Sequence, residues 1–197
     1  MSKGSLFVIS GPSGTGKGTV CAELLKEDNI FLSISATTRD KRVGETEGVT
    51  YYYKDIETFE KMIENDEMLE YAMYSGNYYG TPKKAVTDMM DSGKNVILEI
   101  EAQGALKVKE KMPEAVLIFI VPPSIAELRK RLKERGREDD TEIERRINAA
   151  KWEFSQSPKY NYVIVNDDLN TCVEDTLNII KSANDRQQMI EKLLSEI

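Results

Sequence analysis

The sequence predicts a doubly wound α/β domain with a parallel sheet, and two observations carry this prediction. Continuous apolar runs, typical of strands buried on both faces, alternate along the chain with stretches of helical periodicity. A glycine-rich stretch follows the first apolar run and opens a helical pattern, which is the context of a phosphate-binding loop. Because no repeat, low-complexity segment or linker interrupts this order, we expect one domain over residues 1–197.

The apolar patterns predict the elements in order. Four continuous runs are predicted as strands of the sheet, at 6–10, 96–100, 116–121 and 162–165. Helical spacing predicts five helices, at 17–27, 102–111, 125–135, 140–154 and from 170 to the C-terminus. Alternation of strands and helices in this way is typical of a doubly wound sheet.

Two stretches depart from the alternation. Residues 35–81 are rich in Tyr, Gly and Thr, with one helix predicted at 56–65, and we interpret them as an inserted α+β segment. Residues 135–140 are almost all charged and have no apolar anchor. We expect this second stretch to be exposed and mobile.

The composition restricts the classes of function. Hydrophobic residues make up 40% of the chain and charged residues 31%, which is too apolar for a disordered protein. The net charge of −7 repels nucleic acid and anionic membranes, so an anion-binding site must gather its Lys and Arg locally. The absence of His excludes Ser–His and Cys–His catalysis and histidine-ligated zinc. Cys21 and Cys172 have no spacing partner and are interpreted as buried, inert thiols.

The N-terminal residues predict the location of the chain. The apolar run at 6–9 is too short for a signal peptide or a membrane span. We therefore expect a cytoplasmic chain with neither nucleic acid nor a membrane as a partner. A monomer and a homo-oligomer are both compatible with the sequence.

The glycine-rich stretch predicts a phosphate site. It comprises Gly11, Pro12, Ser13, Gly14, Thr15, Gly16, Lys17, Gly18 and Thr19. Its backbone N–H groups would meet phosphate oxygens at a helix N-terminus, and Lys17 would reach the β- and γ-phosphates of ATP. A Ser or Thr that binds Mg²⁺ usually follows this lysine, but Gly18 stands there, and Thr19 lies roughly 100° further round the helix. We expect Mg²⁺ with ATP, held mainly by phosphates and water, and assign it no protein ligand.

Several motifs together resemble those of guanylate kinases. Besides the loop they are Thr37-Thr38-Arg39-Asp40-Lys41-Arg42, the stretches 75–81 and 98–104, Pro122-Pro123-Ser124, and residues 131–146 and 165–168. The resemblance covers nearly the whole chain and is far more specific than the loop alone. It implies a P-loop kinase core at 1–34, 83–125 and 156–197, a GMP-binding segment at 35–82 and a helical lid at 126–155. It also implies ATP-dependent, in-line phosphorylation of GMP to GDP, in guanine nucleotide synthesis and recycling.

The segment 35–82 carries residues suited to the phosphate of GMP. Arg39 and Arg42 place two permanent planar cations three residues apart, an arrangement that suits a phosphate monoester. The resemblance implies that Tyr51 and Tyr79 add hydroxyl donors to the same phosphate. Three further tyrosines of this segment are expected to be packing residues: Tyr52, Tyr53 and Tyr78.

The resemblance also assigns residues to the base. Guanine presents two adjacent donors and the acceptor O6, which a carboxylate and hydroxyl groups can match. By resemblance Glu70 is that carboxylate, while Ser35 and Thr81 supply the hydroxyls. Glu101, where the family commonly has aspartate, would lie near the bound GMP. Alternation along the predicted strand puts Glu99 on the same face, either as a water-mediated metal partner or as a structural acceptor.

The charged stretch and its flanks supply further cations. The transition state of phosphoryl transfer spreads negative charge over three oxygens, so preorganised cations are needed more than a general base. The resemblance favours Arg135 and Arg146 as catalytic, with Arg131 as a third contact to ATP, and places Asn166 near the adenine. The alternative is helix-surface ion pairs such as Glu142 with Arg146. That alternative is the favoured interpretation of Arg145, and Arg137 is left open.

Two rival functions are weighed against this assignment. A kinase for another nucleotide or for a ribose bisphosphate would keep the fold, but Glu70, Ser35 and Thr81 argue for guanine. A peptide-binding module of the same family would typically have a degraded loop. Here Lys17 and the loop glycines are intact.

Overall fold

A computed structural model describes residues 3–74, 76–136 and 139–195 and has the predicted α/β class. In chain order its elements are β1 (Leu6–Ser10), α1 (Lys17–Leu24), β2 (Ile30–Leu32), β3 (Ala36–Thr37), β4 (Tyr52–Tyr53), α2 (Ile56–Glu64), β5 (Met68–Tyr74), β6 (Asn77–Pro82), α3 (Lys83–Asp91), β7 (Asn95–Glu99), α4 (Ala102–Lys111), β8 (Val116–Val121), α5 (Ile125–Glu134), α6 (Asp140–Ser155), β9 (Tyr162–Val165) and α7 (Leu169–Ser195).

The main sheet has five parallel strands in the order β2-β7-β1-β8-β9. Along β1, Leu6 and Val8 enter an apolar cluster with α3 and α4, while Phe7 and Ile9 enter a second cluster with α1 and α7. Because both faces are covered, the strands read as continuous apolar runs. The prediction of a doubly wound parallel sheet is therefore confirmed.

Two elements of the core lack a sequence prediction. The edge strand β2 has only three residues, and α3 has only nine, of which Val86 and Met90 are buried. Helix α1 ends at Leu24 instead of residue 27, and Leu25 caps it. Strand β7 ends at Glu99, one residue before its predicted end.

The smaller sheet lies within the predicted inserted segment. Its order is β4-β3-β6-β5, with β5 and β6 forming an antiparallel pair. Together with α2 it buries its own apolar cluster of Ala36, Phe59 and Met68. Tyr78 stacks on Phe59 with ring centroids 5.1 Å apart, and Tyr52 packs against the same cluster, as predicted for packing residues.

Helices α5 and α6 form a hairpin within the predicted lid. Ser124 caps α5 by accepting from the backbone N–H of Glu127 at 3.0 Å, and Asp139 caps α6 in the same way. The hairpin buries an apolar cluster that includes Leu128 and Leu132. In the predicted charged stretch, the described residues 135–136 and 139–140 are exposed, and Arg137 lies outside the described residues.

Both cysteines lie in the core, as the sequence predicts. Burial raises the pKa of Cys21 to about 12 and that of Cys172 to about 11. Thiols with so high a pKa are poor nucleophiles at neutral pH, so the prediction of inert thiols is confirmed. Within the described ranges, no helix has the length and apolarity that a membrane crossing requires.

Candidate active site

The glycine-rich loop lies at the carboxyl end of β1, where α/β sheets bind their ligands. Gly14 and Gly16 adopt φ values of +91° and +92°, a region that other residues rarely enter. A Cβ built on Gly14 would lie 3.1 Å from Leu128 Cδ1 and 3.0 Å from Leu132 Cδ2, so α5 packs closely against the loop at this position. Gly16 caps α1, so the first amide groups of that helix face the loop and favour an anion there.

Lys17, the first residue of α1, reaches back across the loop. Its Nζ donates to the carbonyl oxygens of Gly11 and, at 3.0 Å, of Pro12. Burial lowers the pKa of Lys17, while the carboxylates of Glu99 and Glu153 act in the opposite direction. The ammonium group is thus held at the loop by carbonyl oxygens that a phosphate can replace.

Three side-chain hydrogen bonds stabilise the conformation of the loop. Thr15 Oγ1 donates to the carbonyl of Pro12 at 2.9 Å, and Asn166 Nδ2 donates to the carbonyl of Thr15 at 2.8 Å. Arg146 donates from Nη1 to Ser13 Oγ at 2.7 Å. Asn166 is therefore buried against the loop, a structural contact other than the turn-forming role that was the sequence alternative to adenine binding; its predicted place near the adenine stays a prediction.

A cavity of about 480 Å³ opens above the loop. Besides the loop residues it is lined by Tyr74, Glu99, Glu101, Arg135, Arg145, Arg146, Ala149 and Glu153. The structure thus brings three predicted catalytic residues together, Lys17, Arg135 and Arg146.

Arg131 and Thr19 do not line this cavity, and ion pairs hold Arg131, Arg145 and Arg146. Arg131 donates from Nε to Glu127 at 2.9 Å. Arg145 donates two hydrogen bonds to Glu142, each at 2.7 Å, as the surface-pair interpretation predicted, and also lines the cavity. Arg146 forms the i to i+4 pair with Glu142 at 3.2 Å in addition to its contact with the loop. Thr19 is exposed on α1.

Glu99 borders the position that lacks a hydroxyl. A Cβ built on Gly18 would lie 3.6 and 3.8 Å from the two carboxylate oxygens of Glu99. The prediction that Glu99 and Glu101 share a strand face was wrong, since β7 ends at Glu99 and Glu101 is the N-cap of α4, with φ −72° and ψ 160°. Both carboxylates nevertheless line one cavity, because β7 leads almost directly into α4.

Arg39 is held by a carboxylate that the sequence interpretation had given no role. Its Nη2 lies 2.7 Å from Glu45 Oε1, and its guanidinium carbon lies 5.6 Å from the ring centroid of Tyr51. The rings of Tyr51 and Tyr79 are 6.0 Å apart. The predicted phosphate-binding residues Arg39, Tyr51 and Tyr79 therefore form one cluster.

Glu45 also binds the chain around this cluster. Its Oε2 accepts from the backbone N–H of Arg42 and from the hydroxyl of Tyr53, each at 2.8 Å. The hydrogen bond from Arg39 is the main reason that the pKa of Glu45 falls to about 2. Tyr53 is thus a hydrogen-bonding residue of the site, beyond the packing role predicted for it, whereas the Arg42 side chain is exposed.

Glu70 is a buried carboxylate with one oxygen engaged. Its Oε1 accepts from Thr81 Oγ1 at 2.7 Å, and burial raises its pKa while the Thr81 bond and Lys107 oppose the rise. Ser35, Tyr51 and Thr81 line a cavity of about 170 Å³ beside it. Three predicted base or phosphate contacts therefore share one space.

Two further side chains in these cavities were missed by sequence reasoning. Ser33 lines the smaller cavity, and its buried Oγ has no hydrogen-bond partner among the described residues. Glu153 on α6 lines the larger cavity, and burial raises its pKa. Ser33 alternates with Ser35, which is a weak signal for a shared wall, whereas Glu153 sits in an ordinary helical pattern.

The chain is similar to known guanylate kinases over nearly its whole length. The guanylate kinase family model matches residues 3–183. A guanylate kinase of Halalkalibacterium halodurans is 53% identical over 192 residues, which are 96% of this chain and 94% of that protein. A guanylate kinase of Clostridium tetani is 50% identical over 97% of this chain and 92% of its own. The crystal structure of guanylate kinase from Anaplasma phagocytophilum is similar at a TM-score of 0.71 and 39% identity, covering 92% of this chain and 86% of that one.

Proposed function

The chain belongs to the guanylate kinase family, and on this premise we propose how its two cavities share the reaction. It catalyses the ATP-dependent phosphorylation of GMP to GDP. The larger cavity receives the phosphates of ATP, and the smaller cavity with the Arg39 cluster receives GMP. One observation carries this division: Glu99 lines both cavities, so the donor and acceptor spaces adjoin.

On the donor side, we assign the phosphates to the loop residues 11–19. The amide groups at the start of α1 meet phosphate oxygens, and Lys17 leaves its two carbonyl partners for the β- and γ-phosphates. Arg135 and Arg146 stabilise the charge that spreads over the transferring group. Arg131 and Asn166 are assigned secondary contacts to ATP.

On the acceptor side, we assign the phosphate of GMP to the Arg39 cluster. Arg39, oriented by Glu45, presents its remaining donors together with the hydroxyls of Tyr51 and Tyr79. Arg42, three residues on in an exposed loop, closes on the same phosphate. The phosphate is thereby aimed at the adjoining donor cavity.

The base is assigned to the second wall of the acceptor site. Glu70 accepts the two adjacent donors of guanine, and Ser35 donates toward O6. Thr81 has a single hydroxyl proton, which it donates to Glu70 at 2.7 Å, so it contributes to base recognition by orienting the carboxylate. Glu101 at the start of α4 contacts another part of GMP.

The transfer itself needs no general base from the protein. The second pKa of a phosphate monoester is about 6, so GMP is largely a dianion at neutral pH and attacks the γ-phosphorus in line. The bond to the bridging oxygen of ADP breaks as the new bond to GMP forms. Lys17, Arg135 and Arg146 hold the charge of the departing ADP and of the transferring group.

Mg²⁺ accompanies ATP in this reaction and, when bound, neutralises phosphate charge. Among the described residues, no cluster of three potential ligands could hold a metal by protein groups alone. Glu99 fits the role of a single protein partner, because its carboxylate lies beside the position of the missing hydroxyl at Gly18. One carboxylate with phosphates and waters is a donor set that Mg²⁺ favours.

Glu99→Gln is expected to weaken the metal-dependent part of ATP binding by about tenfold, the lower end of the effect of losing a metal's supporting ligand. Titration calorimetry with ATP, with and without Mg²⁺, measures this part separately from turnover. Glu27→Gln, exposed just beyond the end of α1, is the matched control. Equal losses of ATP affinity with and without Mg²⁺ would assign Glu99 a structural role instead.

A panel of acceptors tests the division of the site. With ATP and Mg²⁺, ADP formation in a coupled assay is expected with GMP and to be lower by several orders of magnitude with AMP, CMP, UMP or a ribose bisphosphate, because only guanine satisfies Glu70, Ser35 and Thr81. Comparable turnover with AMP would remove the base-reading role from Glu70. The loop assignment would then stand alone.

We also propose the larger organisation implied by this scheme. Residues 35–82 and 126–155 close over a core of 1–34, 83–125 and 156–197, and each closing unit carries an apolar cluster of its own. The substrates are small molecules, and we assign the chain to the cytoplasm, with neither nucleic acid nor a membrane as partner.

A further inference from the structure

Gly104, in the first turn of α4, lies against the buried carboxylate of Glu70. A Cβ built on Gly104 would lie 3.1 Å from Glu70 Oε2, 3.5 Å from the carboxyl carbon and 3.4 Å from Ile100 Cδ1. The first of these distances is closer than a carbon and an oxygen normally pack. The Glu70 carboxylate therefore occupies space that exists because residue 104 has no side chain.

The carboxylate has little freedom to move away from α4. Its other oxygen, Oε1, is held by Thr81 Oγ1 at 2.7 Å, and the side chain is only 8% exposed. The backbone of Glu70 is fixed in β5, where it pairs with Thr81 of β6. A methyl group at position 104 would push the carboxylate off its hydrogen bond or turn it within the pocket.

Helix propensity favours alanine over glycine at position 104. Glycine within a helix is less favourable than alanine, because it loses more backbone freedom on folding. Gly104 has no positive φ, so its backbone conformation is one that alanine adopts readily. Helix stability alone would therefore favour alanine at this position, and the glycine needs another explanation.

The contrast with Gly80 separates a structural glycine from this one. A Cβ at Gly80 would lie 2.7 Å from the backbone oxygen of Glu70 and 2.9 Å from Tyr71 Cβ, so the strand pair itself requires glycine there. At Gly104 the nearest atoms belong to the side chains of Glu70 and Ile100. The requirement at Gly104 comes from the site.

We propose that Gly104 is a specificity-determining positioning residue, whose missing Cβ lets the Glu70 carboxylate sit at the depth from which it reads guanine. This rests on the proposed role of Glu70 in base recognition. The two roles differ: Glu70 forms hydrogen bonds with the base, whereas Gly104 affects base recognition only through the position of Glu70.

Gly104→Ala is expected to weaken GMP binding in a protein that still folds. The gain in helix preference and the cost of displacing the buried carboxylate oppose each other, so the unfolding midpoint should move by no more than about 2–4 °C in either direction. Displacing the hydrogen bonds between the Glu70 carboxylate and guanine is expected to weaken GMP binding by about tenfold. It is also expected to lower the ratio of kcat/KM for GMP to that for AMP. ATP affinity should stay unchanged. Glu110→Ala, at the exposed far end of α4, is the matched control.

A double-mutant cycle with Glu70→Ala gives the deciding measurement, by titration calorimetry of GMP on all four proteins. The loss caused by Gly104→Ala should vanish when Glu70 is already alanine, because there is no carboxylate left to displace. An equal loss in both backgrounds, or an unchanged GMP/AMP ratio in the folded variant, would overturn the proposal. So would a lowered midpoint with equal losses of GMP and ATP binding, which indicates a folding role.

The same cycle distinguishes a failure of this proposal from a failure of the base assignment. If Glu70→Ala itself left the GMP/AMP ratio unchanged, Glu70 would not read the base, and both ideas would fall. If Glu70→Ala narrowed the ratio and Gly104→Ala did not, only the role of Gly104 would fall.

Discussion

Lys17→Ala is expected to lower the turnover of ATP and GMP by at least about 10²-fold, which corresponds to about 2.7 kcal/mol of activation free energy. The ammonium group already lies at the loop, donating to the carbonyls of Gly11 and Pro12, so it needs only a small shift to reach a phosphate. In the alanine variant no lysine ammonium compensates the negative charge that develops on the transferring phosphoryl group in the transition state. GMP binding should be nearly unchanged, because the Arg39 cluster holds the acceptor on the other side of Glu99.

Single-turnover kinetics with ATP and GMP, together with calorimetry of GMP alone, separates these two effects. Lys26→Ala is the matched control, since Lys26 is exposed and pairs with Glu23 just beyond the end of α1. The thermal midpoint of each variant should be recorded, because Lys17 also ties the loop together. Turnover retained in a folded Lys17→Ala variant would remove Lys17 from its assigned role.

Glu70→Ala is expected to narrow the GMP/AMP ratio of kcat/KM by at least about 10²-fold. A site built to pair buried polar groups with its substrate discriminates by about 10⁴–10⁵, because the wrong substrate leaves those groups unpaired. Adenine has an acceptor at N1 and would face the carboxylate with lone pairs on both sides. Removing the carboxylate removes the penalty for adenine and the hydrogen bonds to guanine together.

Steady-state kinetics with both acceptors measures the ratio, and the KM for ATP should not change. Glu67→Ala is the matched control, since Glu67 is exposed three residues before Glu70. A lower rate with both nucleotides in equal proportion would mean that Glu70 only supports the fold. In that case Thr81, which loses its hydrogen-bond acceptor, would be the first residue to examine.

The fold was predictable where burial leaves a strong local pattern. The strands at 6–10, 116–121 and 162–165 and the helix at 102–111 have the predicted bounds, because each is a continuous apolar run or a clear helical stripe. The strand β2 is three residues at the sheet edge, too short for any periodicity. The helix α3 follows β6 directly at Pro82 and is only nine residues long, so its apolar stripe of Val86, Met89 and Met90 is too short to be a strong signal.

The candidate site was predictable where spacing alone fixes geometry. The loop glycines and Lys17 are adjacent in sequence, so their grouping needs no knowledge of the fold. The sequence did not predict a role for Glu45 or Glu153, because each matters through contacts with groups that only the fold brings near. For Gly104, the informative property is an empty space beside a residue 34 positions earlier, as the numbering of Glu70 and Gly104 gives. No local pattern records such a space.

The hydrogen bond from Asn166 to Thr15 has a consequence for the protein during its synthesis. It joins residues 151 positions apart, and a Cβ at Gly16 would collide with the same amide group. The strand β8, which flanks β1, also comes late in the chain. A nascent chain that ends before residue 166 therefore cannot hold the loop in the form described above. Ribosome-bound fragments that end between residues 19 and 166 carry the nucleotide-binding motif, yet the loop can take the form described above only after Asn166 has left the exit tunnel.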